Sequence, residues 1–353
     1  MATRRRLAQV AAFGAAGATL AAGTGFAIGK SVLRGDRRRA VPGPTPGELR
    51  LPADVEHRVI GAADGGRVHL VERGSGQPIV LLHGVTLRAA IWAHQLRSLA
   101  PEHRVIALDQ RGHGESVPGS LGTKIEAMAG DLADVLESLD LHNVVVVGHS
   151  MGSMVALSLA LERPNVVAER VAGIAIVAGT AGLRFPLPGV AWLAGVAGAF
   201  GERGLGMLER RDIATLPAGD LGYIVTRYAF GTAPKKAYVD LTLEIVREME
   251  AASLAAIMPD VIAFDVWERL ERIELPMFVA VGSRDRLTPP SHAQRLRQSI
   301  ASSRLLTLDG AGHMLMLERH AALDKELLRF AREVAPPRGP VAVNRGPARN
   351  TGR

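Results

Sequence analysis

Cysteine is absent from all 353 residues. Its absence excludes disulfides, thiolate metal sites and a cysteine nucleophile, and it leaves the redox compartment open. Aromatic residues are scarce, at 4% of the chain, so any sizeable pocket must be walled mainly by aliphatic side chains. Acidic residues are missing from 336–353, which carry four arginines, and the first 50 residues set nine Lys and Arg against two acids. These two segments hold +11 of charge while the whole chain is +7, so residues 51–335 are net −4. A nucleic-acid reader places its basic residues on the folded face that meets phosphates. Here they sit at the two ends, which argues against nucleic acid as a partner.

The chain is 47% hydrophobic and 22% charged, enough to bury a large core. Residues 7–29 carry no charge and follow Arg4, Arg5 and Arg6. That length suffices to cross a hydrocarbon core and exceeds the apolar region of an ordinary secretion signal. The run is read as a membrane anchor. A cleaved export signal is the alternative, because residues 3–7 partly resemble a twin-arginine pattern, with Thr3 and Leu7 where that pattern prefers Ser and Phe; a surface-bound helix is a third. Lys30, Arg34 and Arg37 to Arg39 follow, so charge flanks both sides and does not orient the segment. The expected organisation is an apolar segment and linker over 1–50, one folded domain over 51–335, and a disordered basic tail over 336–353.

Within the domain, short β-branched runs alternate with helical patterns. Segments 55–61 and 67–73 flank Ala63-Asp64-Gly65-Gly66 and predict an antiparallel hairpin. Further strands are expected over 78–82, 104–108, 143–147, 171–177, 276–281 and 304–308. Their continuous apolar character suits strands covered on both faces. Helices are expected over 90–99, 125–139, 151–163 (stopped by Pro164) and 292–300. This alternation predicts an α/β fold with a mostly parallel sheet and helices on both faces. Residues 182–268 break the rhythm with Gly- and Ala-rich helical sequence and read as an insertion between the fourth and fifth parallel strands.

Gly148-His149-Ser150-Met151-Gly152 directly follows a strand of four valines and opens a helix. Such a sharp turn lifts Ser150 above the sheet edge, and the two glycines leave room for neighbouring backbone. The helix start directs free amides toward any developing oxyanion. With Leu82-His83-Gly84-Val85, the stretch from Asp109 to Ser116 (DQRGHGES) and Gly310-Ala311-Gly312-His313, the chain resembles the α/β-hydrolase superfamily over roughly residues 55–333. It looks closest to members with a helical cap: esterases, lipases, lactonases and cofactor-free perhydrolases. The resemblance implies Ser150 as nucleophile, His313 as general base, and the amides of Val85 and Met151 as oxyanion donors. It makes the insertion over 182–268 the cap.

The acid partner must sit at a strand end that reaches His313. Asp285 follows the strand 276–281 and keeps the chain order Ser, Asp, His. The superfamily's other acid position, Ala178-Gly179-Thr180, holds no carboxylate, and Asp309 is the competitor. His83 is expected to hold the oxyanion loop's backbone, His113 to be structural, and His149 to shape the elbow. No metal-ligand spacing and no dinucleotide fingerprint are present, so neither metal nor cofactor is expected.

Serine at the elbow favours acyl transfer over the alkyl-enzyme chemistry of superfamily members with Asp there. The expected activity is hydrolysis of a carboxylic ester, lipid-like or small, through an acyl-enzyme. A cofactor-free perhydrolase, a carbon–carbon bond hydrolase and a non-catalytic ligand-binding member are the alternatives. The apolar stretches 189–200 and 221–230 of the insertion would suit a medium or long acyl chain, the alternative being that they only pack the cap onto the core.

Overall fold

The computed structural model describes residues 43–183 and 220–334. The apolar run 7–29, the tail 336–353 and part of the insertion, including 189–200, lie outside the described residues. No helix among the described residues is long and apolar enough to cross a membrane.

Among the described residues, eight strands form one sheet in the order β1-β2-β4-β3-β5-β6-β7-β8. They are β1 (Glu56–Gly61), β2 (Arg67–Arg73), β3 (Pro78–Leu82), β4 (Arg104–Leu108), β5 (Val144–His149), β6 (Val171–Val177), β7 (Met277–Gly282) and β8 (Ser303–Leu308). β1 and β2 form the expected hairpin, and β2 also runs antiparallel to β4. From β4 through β8 every neighbouring pair is parallel. The valines of β5 show why these strands read as unbroken apolar runs. Val144 and Val146 join one core while Val145 and Val147 join the other, on opposite faces, because a strand alternates its side chains. All four are at most 1% exposed, and each contributes about 1.5–3 kcal/mol by its burial.

The helices are α1 (Pro46–Leu49), α2 (Ala93–Ser98), α3 (Ile125–Ser138), α4 (Met151–Glu162) and α5 (Pro164–Arg170). They continue with α6 (Asp220–Arg227), α7 (Lys236–Glu248), α8 (Ala251–Ala263), α9 (Pro290–Ser299), α10 (Leu315–Glu318) and α11 (His320–Val334). Residues of α3, α4 and α9 pack in one core, those of α2 and α11 in the other. Pro164 does more than stop α4: it occupies the first turn of α5, where a missing N–H costs nothing and a fixed φ suits the helix. The helix expected over 90–99 is instead a 3₁₀ turn (Ala89–Trp92) leading into α2. The amphipathic α11, which the sequence reading passed over, covers β6 through Phe330 and Ala331.

The segment between β6 and β7 leaves the sheet, and its two ends pair with each other. Val266 N donates to Ala181 O (2.8 Å), and Gly182 bridges Asp265 in an antiparallel pair. Its described helices, α6 to α8, stand over the carboxyl ends of the strands, the edge at which open α/β sheets gather their ligands.

Candidate active site

Ser150 sits between β5 and α4 with φ 52° and ψ −115°. This backbone region is strained for a residue with a Cβ, at a cost of about 1–3 kcal/mol, and persists only when its surroundings fix it. Here Ser150 N donates to Val177 O (3.1 Å), and Ser153 Oγ donates to Ser150 O (2.5 Å). The glycines explain the sharpness of the turn. A Cβ on Gly148 would stand 2.3 Å from Gly152 O, and one on Gly152 would stand 2.4 Å from Leu82 O. Only glycine lets β5, α4 and the end of β3 approach so closely.

His313 follows β8, and its N–H donates to Ala229 O (2.7 Å). Its Nδ1 lies 3.0 Å from Asp285 Oδ2. The other carboxylate oxygen, Asp285 Oδ1, accepts from the amides of Leu287 and Thr288, each at 2.9 Å. Thr288 Oγ1 stands 2.9 Å from Asp285 Oδ2, 3.2 Å from His313 Nδ1 and 2.8 Å from Ala178 O. A carboxylate can only accept, so His313 Nδ1 carries the proton and Nε2 keeps its lone pair. Asp309 bonds Ser283 Oγ at 3.0 Å and takes no part in this arrangement. Ser150 and His313 line the same cavity; among the described residues no hydrogen bond closes between them. Such contacts commonly tighten only when substrate is bound.

Val85 and Met151, the residues of the two expected oxyanion amides, line the same cavity as Ser150. Met151 N opens α4, where an amide has no intrahelical partner. Val85 N has no backbone or side-chain acceptor among the described residues. A chain of histidine contacts sets the orientation of the Val85 amide. His83 Nε2 accepts from Gln110 N (3.0 Å), so His83 Nδ1 is the donor and gives its proton to Gly84 O (2.7 Å). In a planar trans peptide the carbonyl and the next amide point in opposite directions. Holding Gly84 O against His83 therefore turns the Val85 N–H the other way. His113 supports the next residue: its Nε2 accepts from Thr86 N (3.2 Å), and Thr86 has a φ of 66°. Burial holds the His113 imidazole down to about 3 and also lowers that of His83, so both stay neutral and keep a lone pair for these contacts. His149 Nε2 meets His313 O at 3.0 Å and braces the histidine loop from the elbow.

Three participants escaped the sequence reading. Thr288 touches both Asp285 and His313, yet a threonine near a strand end carries no signal by itself. Gln110 supplies both a donor to His83 Nε2 and a side-chain amide to His83 O (2.5 Å). Glu318 accepts from Gly231 N and Gly312 N, both at 2.8 Å, and so fastens the insertion to the histidine loop. Burial pushes the Glu318 carboxyl up.

The cavity holds about 170 Å³. Met154 and Met314 line it from the sheet side, and Val225, Leu254, Met258 and Val261 line it from the insertion. Tyr228 also lines it, but most of its described apolar lining is aliphatic or methionine, in keeping with the scarcity of aromatic residues. Bound carboxylate or phosphate groups would find no cationic side chain among its described lining residues.

Comparison with known proteins agrees with this fold. The description "Alpha/beta hydrolase family" applies to a family model that matches residues 79–326. RutD of Azorhizobium caulinodans, named for a carbamate hydrolase activity, is 28% identical over 270 residues, covering 74% of this chain and 93% of its own length. A thermophilic esterase from Thermogutta terrifontis superposes with a TM-score of 0.61 at 25% identity, covering 80% of this chain and all of that one. An esterase from Exiguobacterium antarcticum shares the fold with a TM-score of 0.67 at 21% identity, covering 78% of this chain and all of that one. Strand order, elbow and sequence match converge, and the chain belongs to the alpha/beta hydrolase family.

Proposed function

We propose that this protein is a serine hydrolase that cleaves carboxylic esters through an acyl-enzyme. The observation that carries the reading is the convergence of Ser150, at a strained elbow, and the Asp285-bound His313 on one apolar cavity. In this mechanism Ser150 Oγ attacks the ester carbonyl while His313 Nε2 takes the hydroxyl proton. Asp285 stabilises the resulting imidazolium, and the tetrahedral oxyanion accepts from the amides of Val85 and Met151. Collapse expels the alcohol, which receives the proton from His313. Water then repeats the sequence on the acyl-enzyme and releases the acid and free Ser150.

The aliphatic wall favours an acyl group of small to medium length without formal charge. The Thermogutta esterase supports the ester reading, and the carbamate hydrolase name of RutD makes carbamates a comparison substrate in the same assay. A panel of p-nitrophenyl esters of increasing chain length, with labelling by a fluorophosphonate, tests it. Wild-type protein is expected to turn over the shorter aliphatic esters and to label at Ser150. Ser150→Ala should lower turnover by roughly 10³-fold or more, because triad groups act as a unit, and should abolish labelling. Normal turnover in Ser150→Ala protein would refute the acyl-enzyme.

A further inference from the structure

A second group of histidines and carboxylates assembles at the hairpin edge of the sheet, among residues that do not line the catalytic cavity. His57 on β1 and His69 on β2 are diagonal neighbours in the antiparallel ladder, His57 opposite Val71 and His69 opposite Val59. Diagonal pairs on one face lie within reach of long side chains, and His57 Nδ1 stands 3.0 Å from His69 Nε2. Glu115 comes from the turn after β4 and brings Oε2 to 4.0 Å from His69 Nε2. One ligand atom from each of the three residues lies within 4.8 Å of the others.

The surroundings of His69 give this group its chemical direction. His69 Nδ1 is 2.8 Å from Asp109 Oδ2, and both side chains are buried. The Asp109 carboxylate is held in turn by the amides of Ala89 (2.6 Å) and Glu115 (3.1 Å). A carboxylate accepts, so Nδ1 donates and the lone pair of the neutral ring is at Nε2, aimed at His57 and Glu115. A carboxylate behind one imidazole nitrogen and an open ligand position at the other is the arrangement that orients and strengthens metal-binding histidines.

We propose that His57, His69 and Glu115 bind one divalent transition-metal ion of the zinc class, with water completing a tetrahedron. Two imidazoles and one carboxylate suit zinc and its neighbours, whereas calcium and magnesium prefer oxygen ligands throughout. At Zn–N distances of about 2.0–2.1 Å, a tetrahedral ion separates two ligating nitrogens by about 3.3 Å, a few tenths from the spacing here. Glu115 is 71% exposed and free to swing inward, and the exposure of His57 opens the site to solvent. The ion would tie the edge strand β1 to β2 and to the turn Asp109–Ser116. That turn carries His113, which supports the oxyanion loop at Thr86, so the ion would be a structural pin. Sequence spacing conceals the site, since its ligands lie 12 and 46 positions apart along the chain.

The test uses the full-length protein, stripped with a chelator and titrated with Co²⁺ or Zn²⁺ alone. One equivalent of Co²⁺ should develop the strong visible bands of a tetrahedral site, and Zn²⁺ should displace it. His57→Ala and Glu115→Gln each alter an exposed side chain, so both variants should remain folded, and each should weaken binding by about tenfold or more. His142→Ala removes another exposed histidine beside a carboxylate, Asp140, and should leave binding unchanged. Zn²⁺ should raise the melting temperature of the wild type but not of His57→Ala. Absence of saturable binding overturns the proposal, leaving His57 and His69 as a simple hydrogen-bonded pair. Affinity equal to wild type in either ligand variant overturns it as well, by placing the ion elsewhere.

Discussion

Replacement of Asp285 by Asn probes the proposed proton path with little change in shape. The carboxylate accepts from the amides of Leu287 and Thr288 on Oδ1, and meets Thr288 Oγ1 and His313 Nδ1 on Oδ2. In Asp285→Asn the amide oxygen can keep the two backbone donors, because both reach the same atom. The NH₂ then faces Thr288 Oγ1 and His313 Nδ1. Thr288 can turn its own proton to Ala178 O, 2.8 Å away, and accept from the new amide. Every polar group remains partnered, so stability should change by no more than about 1 kcal/mol. The histidine fares differently. An NH₂ opposite Nδ1 forces that nitrogen to accept, which moves the ring proton to Nε2, where the base must be free. Loss of the correct tautomer in a serine triad costs about 10⁴-fold in kcat, equivalent to about 5.5 kcal/mol of barrier. Steady-state hydrolysis of a short p-nitrophenyl ester, beside a urea melt of the same preparation, measures both quantities. Asp309→Asn, altering a carboxylate that bonds Ser283 instead, should stay within about threefold of wild type by the same reasoning. A loss below tenfold in Asp285→Asn, or a larger loss in Asp309→Asn, would refute the assignment.

His83→Ala should release Gly84 O and let the Val85 amide rotate, lowering kcat by roughly tenfold or more with a smaller change in KM; equal losses in binding and turnover would argue against a positioning role. It should also cost about 1–3 kcal/mol of stability, because Gln110 N is left buried without its acceptor. Burial raises the Asp324 carboxyl to about 6, against hydrogen bonds from Ser98 and Gln95. Between about pH 4 and pH 6 the folded state therefore holds a proton that the unfolded state has released, so stability falls as pH rises through that window, by about 3 kcal/mol at most. Asp324→Asn should flatten that part of the stability profile in denaturant titrations across pH 4–7; an unchanged slope would show that other groups set it.

The order of the strands was legible in the sequence because each carries its own pattern, whereas the helix α11 after the last strand was not anticipated. The β5 valines alternate between two covered faces, and any strand so covered must be apolar throughout. The elbow was legible for a local reason too, since Gly148 and Gly152 are required by backbone contacts within one turn and its nearest strand. Asp285 could be expected from chain order and a strand end once the family resemblance had implied His313. Their hydrogen bond through Nδ1, and the place of Thr288 beside both, depend on how β7 and β8 lie in register. Likewise the sequence marked His83 as a loop holder, but its tautomer follows from Gln110, 27 residues away. The fastening of the insertion to the histidine loop by Glu318 joins residues 87 positions apart and leaves no local pattern. Nor does the grouping of His57, His69 and Glu115. Strand register and turn position decide which polar atoms meet, and residues drawn from distant segments need no shared period to do so.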